Sequence, residues 1–509
     1  MSLLSSPDGD PSGVAKKTAI DKDLKRIVQL DKATTRTGLR NLDMGFGLLF
    51  VMGVWAYTYL QSGTTDGYAV IAIASIIGAY MAMNIGANDV ANNVGPAVGS
   101  KALTMMGALV IAAVFEAAGA LIAGGDVVST ISKGIVSPES FSDQSVFVSA
   151  MLAALLAAAL WVNLATLIGA PVSTTHSIVG GVLGAGIAAA GVSAVDWPIM
   201  GTIAASWVIS PVLGGIVAAG FLLFVKVAVI FKEDKVAAAQ RWIPVLVGIM
   251  AGAFSVYLVM KGLKRVWKPE TPALFAIGIA AFLIGYAIVR FIALKDTSHV
   301  ENNRKSVGQL FRSPLICAAA LLSFAHGSND VANAVGPLAA IVTAVTAGTV
   351  SAKVTLPLWV LAIGAIGISI GLMLFGPKII KIVGEKITKL DPIRAFCVAL
   401  SAAITVIIAS GLGLPVSSTH IAVGGVFGVG FLREYIVNRK FGQAALKPAI
   451  VEGEPPPSED MVINRWAKAK KRRLVRRRYL LGIIAAWLVT VPASAIMAGL
   501  LFLVVNAFL

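Results

Sequence analysis

Apolar stretches recur along the whole chain, separated by short polar breaks, and most match the roughly 17–25 residues a helix needs to cross a bilayer. They predict spans near 44–60, 69–99, 104–124, 148–168, 172–190, 198–225, 242–260, 272–293, 314–348, 356–376, 395–411, 413–432 and 479–508. Two of them, 69–99 and 314–348, are too long and too polar in the middle for one plain helix, and each reads as a helix interrupted at its Asn, Asp, Gly and Pro residues. The pattern therefore predicts an all-α polytopic membrane protein with about 12–13 transmembrane segments.

Polar composition marks the remaining parts. Residues 1–43 form a polar tail of mixed charge with no cleavable signal peptide, followed by an extra N-terminal transmembrane helix at 44–62. A first repeat covers 69–225, and connecting helices and loops fill 226–313. A second repeat covers 314–432 and is completed by a C-terminal helix at 479–509. Between those two parts, 433–478, which contains the stretch 454–457, reads as a basic, partly disordered cytoplasmic insertion.

Composition agrees with lipid as the solvent. The chain is 57% hydrophobic and 13% charged, with a mean hydropathy of +0.84, which leaves too little polar surface to be wetted by water. Its 51 glycines lie inside apolar runs, where small residues let membrane helices approach closely. Cys317 and Cys397 lie in apolar stretches without metal-ligand spacing and read as packing residues.

The net charge of +16 collects between apolar segments, most densely at Lys468, Lys470, Lys471, Arg472, Arg473, Arg476, Arg477 and Arg478. Such clusters mark cytoplasmic loops that can touch anionic lipid, so no nucleic-acid partner is implied. A cytoplasmic N-terminus places the basic loops 226–241, 295–313 and 433–478 inside and the acidic loop 125–147 outside. Only the basic stretch 261–268 falls on the wrong side. The expected location is a plasma membrane, or the inner membrane in a bacterial cell.

Comparison of the chain with itself is the informative step. Residues 86–96 read GANDVANNVGP and residues 327–337 read GSNDVANAVGP. Residues 169–181 read GAPVSTTHSIVGG, and 413–425 read GLPVSSTHIAVGG. Asp89 and His176 are 87 positions apart, Asp330 and His420 are 90 apart, and 205–207 echoes 485–487. Two unrelated motifs recurring in one order at nearly one spacing indicate a duplicated unit. With alternating crossings the first interrupted segment runs inward and the second outward, so the repeats are expected to be inverted, with a substrate site near the midplane.

The motif residues suggest two kinds of ligand. Asp89 and Asp330 sit among apolar neighbours without a lysine or arginine in either motif, and an unpaired carboxylate there is very costly. Asn88, Asn92, Asn329 and Asn333 add carbonyl oxygens at helical spacing, a donor set suited to a small hard cation such as sodium, with protons as the alternative. Ser173, Thr174 and Thr175 follow Pro171, and Ser417, Ser418 and Thr419 follow Pro415, which predicts two helix starts with a proline in the first turn. Helix N-termini attract anions, and six hydroxyls between two such ends could enclose a tetrahedral oxyanion; capping is the competing role of each hydroxyl.

Two aspartates and an anion in low dielectric require cations to enter with the anion, which couples their binding. His176, His326 and His420 lie at the motifs as accessory groups that could bond hydroxyls or aspartates across the repeat interface. Glu116 is the other intramembrane acid, a third cation contact or a packing hydrogen bond.

At these residues the sequence resembles the inorganic phosphate transporter (PiT) family, marked by G-x-N-D-V-A-N-A in both halves and by P-V-S-x-T-H. The stretches 128–136 (VSTISKGIV) and 380–392 are similar as well. The resemblance spans 65–509 apart from the insertion, and implies secondary import of inorganic phosphate coupled to sodium or protons. It would place phosphate between the two P-V-S-x-T-H helix starts and sodium near the N-D pairs, with sodium as coupling ion and no other cofactor. The full N-D-V-A-N in both halves looks more like sodium-dependent members. Asn93 replaces the usual alanine, and the extra helix near 44–60 is atypical; neither is expected to touch this chemistry. A homodimer is compatible with this reading.

Other readings remain open at this level. A proton-coupled phosphate or sulfate permease uses the same groups. A passive anion channel would conduct without coupling. An intramembrane hydrolase could draw on Asp89, Ser173 and His176, but Ser173 and His176 are three apart on one helix and the set is duplicated, so no enzyme is expected.

Overall fold

The computed structural model describes residues 42–168, 172–262, 267, 269–348, 356–386, 390–446 and 477–508. Pro171, Lys264, Arg265 and Lys268, and the bulk of the tail and of the 433–478 insertion, lie outside them. Among the described residues, 12 helices are long and apolar enough to cross a membrane. Helix α1 (Leu42–Ser62) is the extra N-terminal span.

Over the span read as the first repeat lie α2 (Tyr68–Asn93), α3 (Gly95–Gly99), α4 (Met105–Ala123), α5 (Gly125–Ser129), α6 (Gln144–Ile168), α7 (Thr174–Ala190) and α8 (Trp197–Val225). Helices α9 (Lys235–Gly262) and α10 (Thr271–Ile288) and the short α11 (Arg304–Gln309) follow. Over the span read as the second repeat and its completing helix lie α12 (Arg312–Ala347), α13 (Leu358–Lys386), α14 (Pro392–Gly411), α15 (Ser418–Leu446) and α16 (Arg477–Val505). Helical backbone satisfies its own polar groups, which is what lipid demands of a spanning segment.

Local sequence explains most boundaries. Thr104 caps α4 by accepting from the Gly107 amide, Asp196 caps α8 with Pro198 in its first turn, and Asp391 caps α14 ahead of Pro392. Helices α6, α12 and α14 form the buried centre, whereas no residue of α10 is buried. Helix α7 has 17 residues and is the thirteenth apolar helix.

One predicted interruption is present and the other is not. Helix α2 stops at Asn93, and α3 begins at Gly95, one residue before Pro96. Beyond it Lys101 takes a left-handed φ of 61° and turns the chain out of the helix. Helix α12, in contrast, runs unbroken from Arg312 to Ala347 through Pro337. A proline forfeits one backbone hydrogen bond and crowds the preceding turn. In α12 the following residues, Leu338 to Val342, are buried, and their packing outweighs that loss. The matching residues after Pro96 reach the exposed Gly99 and Lys101, so nothing holds a longer helix there.

The duplication reappears as matched close approaches between the halves. Gly86 on α2 lies against the carbonyl of Ile368 on α13, and Gly327 on α12 lies against that of Glu116 on α4. Gly371 meets the Met83 carbonyl in the same way that Gly119 meets that of Phe324. Gly184 faces Ala495 as Gly428 faces Gly215, so the echo between 205–207 and 485–487 is a packing equivalence. Each half therefore packs helices of the other, α2 on α13 and α12 on α4, α7 on α16 and α15 on α8.

Candidate functional site

The crossings bring the two N-D motifs and the two hydroxyl motifs to one place. Helix α7 starts at Thr174, with Ser173 as its cap accepting from the His176 amide at 3.1 Å. Helix α15 starts at Ser418, and the Ser417 hydroxyl accepts from the His420 amide at 3.3 Å. Capping is thus the observed role of the first serine in each trio. It also corrects the expected helix start, because Pro415 lies two residues before the cap instead of in the first turn. The hydroxyl satisfies a helix-start amide, and the helix begins only beyond it.

The threonines reach the carboxylates. Thr174 Oγ1 lies 3.0 Å from Asp89 Oδ2 and 3.0 Å from Asp330 Oδ2. Thr419 Oγ1 donates to Asp89 Oδ1 at 3.0 Å and accepts from Asn92 Nδ2 at 2.8 Å. By the matching contact, Asn333 Nδ2 donates to Thr175 Oγ1 at 3.1 Å, while Thr175 Oγ1 donates to the Val416 carbonyl at 3.0 Å. Each N-D motif therefore grips the hydroxyl motif of the opposite half. These side chains are buried, Asn92 only in part.

The outer asparagines face the other way, again in parallel. Asn88 Nδ2 donates to Thr166 Oγ1 and Asn329 Nδ2 to Ser410 Oγ, both at 3.0 Å. Thr166 and Ser410 were not predicted, although each stands seven residues before the serine that caps the next helix; extending the self-comparison upstream would have found them. The Oδ1 atoms of Asn88, Asn329, Asn333 and Asp330 are buried and accept no hydrogen bond among the described residues. Buried oxygens of this kind need a donor or a cation, and three amide oxygens together with the two carboxylates suit a hard cation.

Of the three motif histidines, only His326 is within ion-pair distance of the aspartates. Its Nε2 lies 3.7 Å from Asp89 Oδ2 and 3.6 Å from Asp330 Oδ2, and one ligand atom of each residue falls within 4.8 Å of the others. His176 and His420 instead meet each other edge to face, with ring centroids 4.4 Å apart, and His176 packs on Trp207 at 3.8 Å. They line one wall of an apolar cavity of about 1110 Å³ between α8, α15 and α16.

Glu116 and Asn93 meet beside the site. Glu116 makes a buried side-chain contact and no direct one to the aspartates: its Oε1 accepts from Asn93 Nδ2 at 2.8 Å and its Oε2 lies 3.0 Å from His326 Nδ1. Asn93, set aside as irrelevant to the chemistry, is thereby linked to it through two residues. The sequence could not show this, because Asn93 and Glu116 meet only where α2 and α4 are brought together.

The model of the phosphate transporter family matches residues 85–498. The chain belongs to this family. It is 46% identical over 524 aligned residues to a relative from Helicobacter pylori strain J99, covering 94% of this chain and 98% of that one. It is 39% identical to a relative from Pyrococcus horikoshii, covering 85% of this chain and 97% of that one. Both relatives are provisionally named phosphate permeases. Among solved structures it is similar to one described as the sodium-dependent phosphate transporter, with a TM-score of 0.74, 35% identity, and coverage of 87% of this chain and 100% of that one. The protein is accordingly a multi-pass phosphate transporter and not an enzyme.

Proposed function

We propose that this transporter imports inorganic phosphate together with sodium ions, by alternating access of two inverted halves around one buried site. The observation that carries the reading is the position of Thr174, whose hydroxyl stands 3.0 Å from a carboxylate of each half. A residue of the hydroxyl helix start and both aspartates thus share one small volume. An anion at the hydroxyls would meet two carboxylates at close range in a medium that screens poorly, and it is tolerable there only with cations between them.

In this reading sodium is held by Asp89, Asn88 and Asn92 and by Asp330, Asn329 and Asn333. Phosphate lies at the paired helix starts, Ser173, Thr174 and Thr175 facing Ser417, Ser418 and Thr419, where amides and hydroxyls complement its oxygens. Each ion makes the other's binding less costly, and that shared free energy is the coupling. Sodium is supported by the oxygen-only donor set and by the name of the similar solved structure. With a cytoplasmic N-terminus, α2 runs inward and α12 outward.

The test is radiolabelled phosphate uptake into proteoliposomes. Uptake should require external sodium, fail when choline replaces it, and be competed by arsenate more than by sulfate. Uptake that persists in choline and collapses when a proton gradient is dissipated would replace sodium by protons. Uptake equal to wild type in Asp89→Asn and Asp330→Asn would remove the site assignment.

A further inference from the structure

The two halves repeat each other closely around the aspartates, but three buried positions break the repeat together. Asn93 corresponds to Ala334 in the aligned motifs, and His326 corresponds to Ile85. Glu116 corresponds to Ile368, because Gly327 packs on the Glu116 carbonyl as Gly86 packs on that of Ile368. One side of the site thus carries three apolar residues where the other carries a connected polar chain.

The three side chains stand in sequence toward the aspartates. Asn93 Nδ2 donates to Glu116 Oε1 at 2.8 Å, Glu116 Oε2 lies 3.0 Å from His326 Nδ1, and His326 Nε2 faces Asp89 and Asp330 at 3.7 and 3.6 Å. Glu116 and His326 are fully buried, as is Asn93. The contact between Glu116 and His326 is close but not a well-aligned hydrogen bond. Of these contacts only the one from Asn93 to Glu116 is a hydrogen bond, so it is the one that holds the carboxylate.

We propose that Asn93 is a positioning residue for the coupling-cation site, holding Glu116 so that the His326 imidazole is fixed against Asp89 and Asp330. Partners one step beyond a ligand tune cation affinity by orienting the groups that touch it. An alanine at position 93 would leave Glu116 Oε1 buried without its donor and free the carboxylate to turn. The proposal rests on the reading of Asp89 and Asp330 as cation ligands.

The test compares Asn93→Ala and Asn93→Ser with wild type in proteoliposomes, measuring KM for sodium at saturating phosphate and KM for phosphate at saturating sodium. Asn93→Ala is expected to raise the sodium KM about three- to tenfold, somewhat less than loss of a direct outer-shell partner, with the phosphate KM within about twofold of wild type. Asn93→Ser keeps a donor and should fall between the two. The same shift should appear in the sodium concentration that half-maximally raises the melting temperature of the purified protein, a readout independent of transport.

An unchanged sodium KM overturns the proposal, as does an equal rise in both KM values accompanied by a lower melting temperature without sodium. If Asn93→Ala does not accumulate in the membrane, the isosteric Glu116→Gln is judged by the same criteria. Asp89→Asn and Asp330→Asn run alongside: if they abolish uptake while the position-93 variants leave sodium affinity unchanged, only this proposal falls. If they keep wild-type sodium dependence, the cation-site reading falls with it.

Discussion

Asn92 donates a hydrogen bond of 2.8 Å to Thr419, a residue 327 positions away in the other half of the chain. Thr419 passes its own hydrogen to Asp89, so one hydroxyl ties an asparagine and an aspartate of the first N-D motif to the second helix start. Thr419→Val removes both bonds at unchanged volume and leaves a buried carboxylate short of a donor, at a cost of roughly 1–3 kcal/mol. Uptake should fall at least about tenfold and the melting temperature should drop; Thr419→Ser should recover most of both. Equal uptake by the valine variant would show that this link is dispensable.

Thr174 stands between two carboxylates but has a single hydrogen to give. It can satisfy only one at a time, so the two carboxylates compete for it, Asp330 Oδ2 also accepting from Asn333 Nδ2 at 3.3 Å. Thr174→Val should therefore raise the KM for sodium and for phosphate together; unchanged values for both would contradict the assignment.

Ser418 differs from its neighbours, because its buried hydroxyl finds no partner among the described residues. Ser418→Ala breaks no hydrogen bond there and should leave the melting temperature almost unchanged. If the hydroxyl is kept for phosphate, the phosphate KM should rise about three- to tenfold, equivalent to roughly 0.7–1.4 kcal/mol. A lower melting temperature with normal phosphate affinity would make Ser418 a structural residue.

The glycine crossings set the distances within the site. A methyl group at Gly327 would overlap the Glu116 carbonyl on a helix that has no room to retreat. Gly327→Ala should cost about 1–3 kcal/mol or prevent assembly, measured as detergent-resistant yield. At Gly99 a methyl meets open space, so Gly99→Ala should be tolerated.

Lys261, the first residue of the basic stretch 261–268, is paired. Its Nζ lies 2.5 Å from Asp126 Oδ2 and 3.2 Å from the Gly411 carbonyl, joining the end of α9 to α5 and to the end of α14. Both side chains are partly exposed, at 18% and 32%. A double-mutant cycle of Lys261→Met and Asp126→Asn on thermal stability should give a coupling below about 1 kcal/mol, reduced further by salt.

Spans, duplication and the four motifs were legible in the sequence because they depend on local properties. Hydropathy over a helix length decides what enters lipid, and a repeated motif is visible wherever its partner lies. The serine caps were legible as one of two roles for each hydroxyl, and the structure selects capping for Ser173 and Ser417. Tertiary structure alone decided that Pro337 is carried inside α12 while α2 breaks before Pro96, since all-round burial outweighs a lost backbone bond only where neighbours supply it. It also decided that each N-D motif meets the hydroxyls of the opposite half, and that Asn93 reaches His326 through Glu116. Such contacts depend on how helices cross, which is set by glycines packed against backbone hundreds of residues away, so no window along the chain contains them.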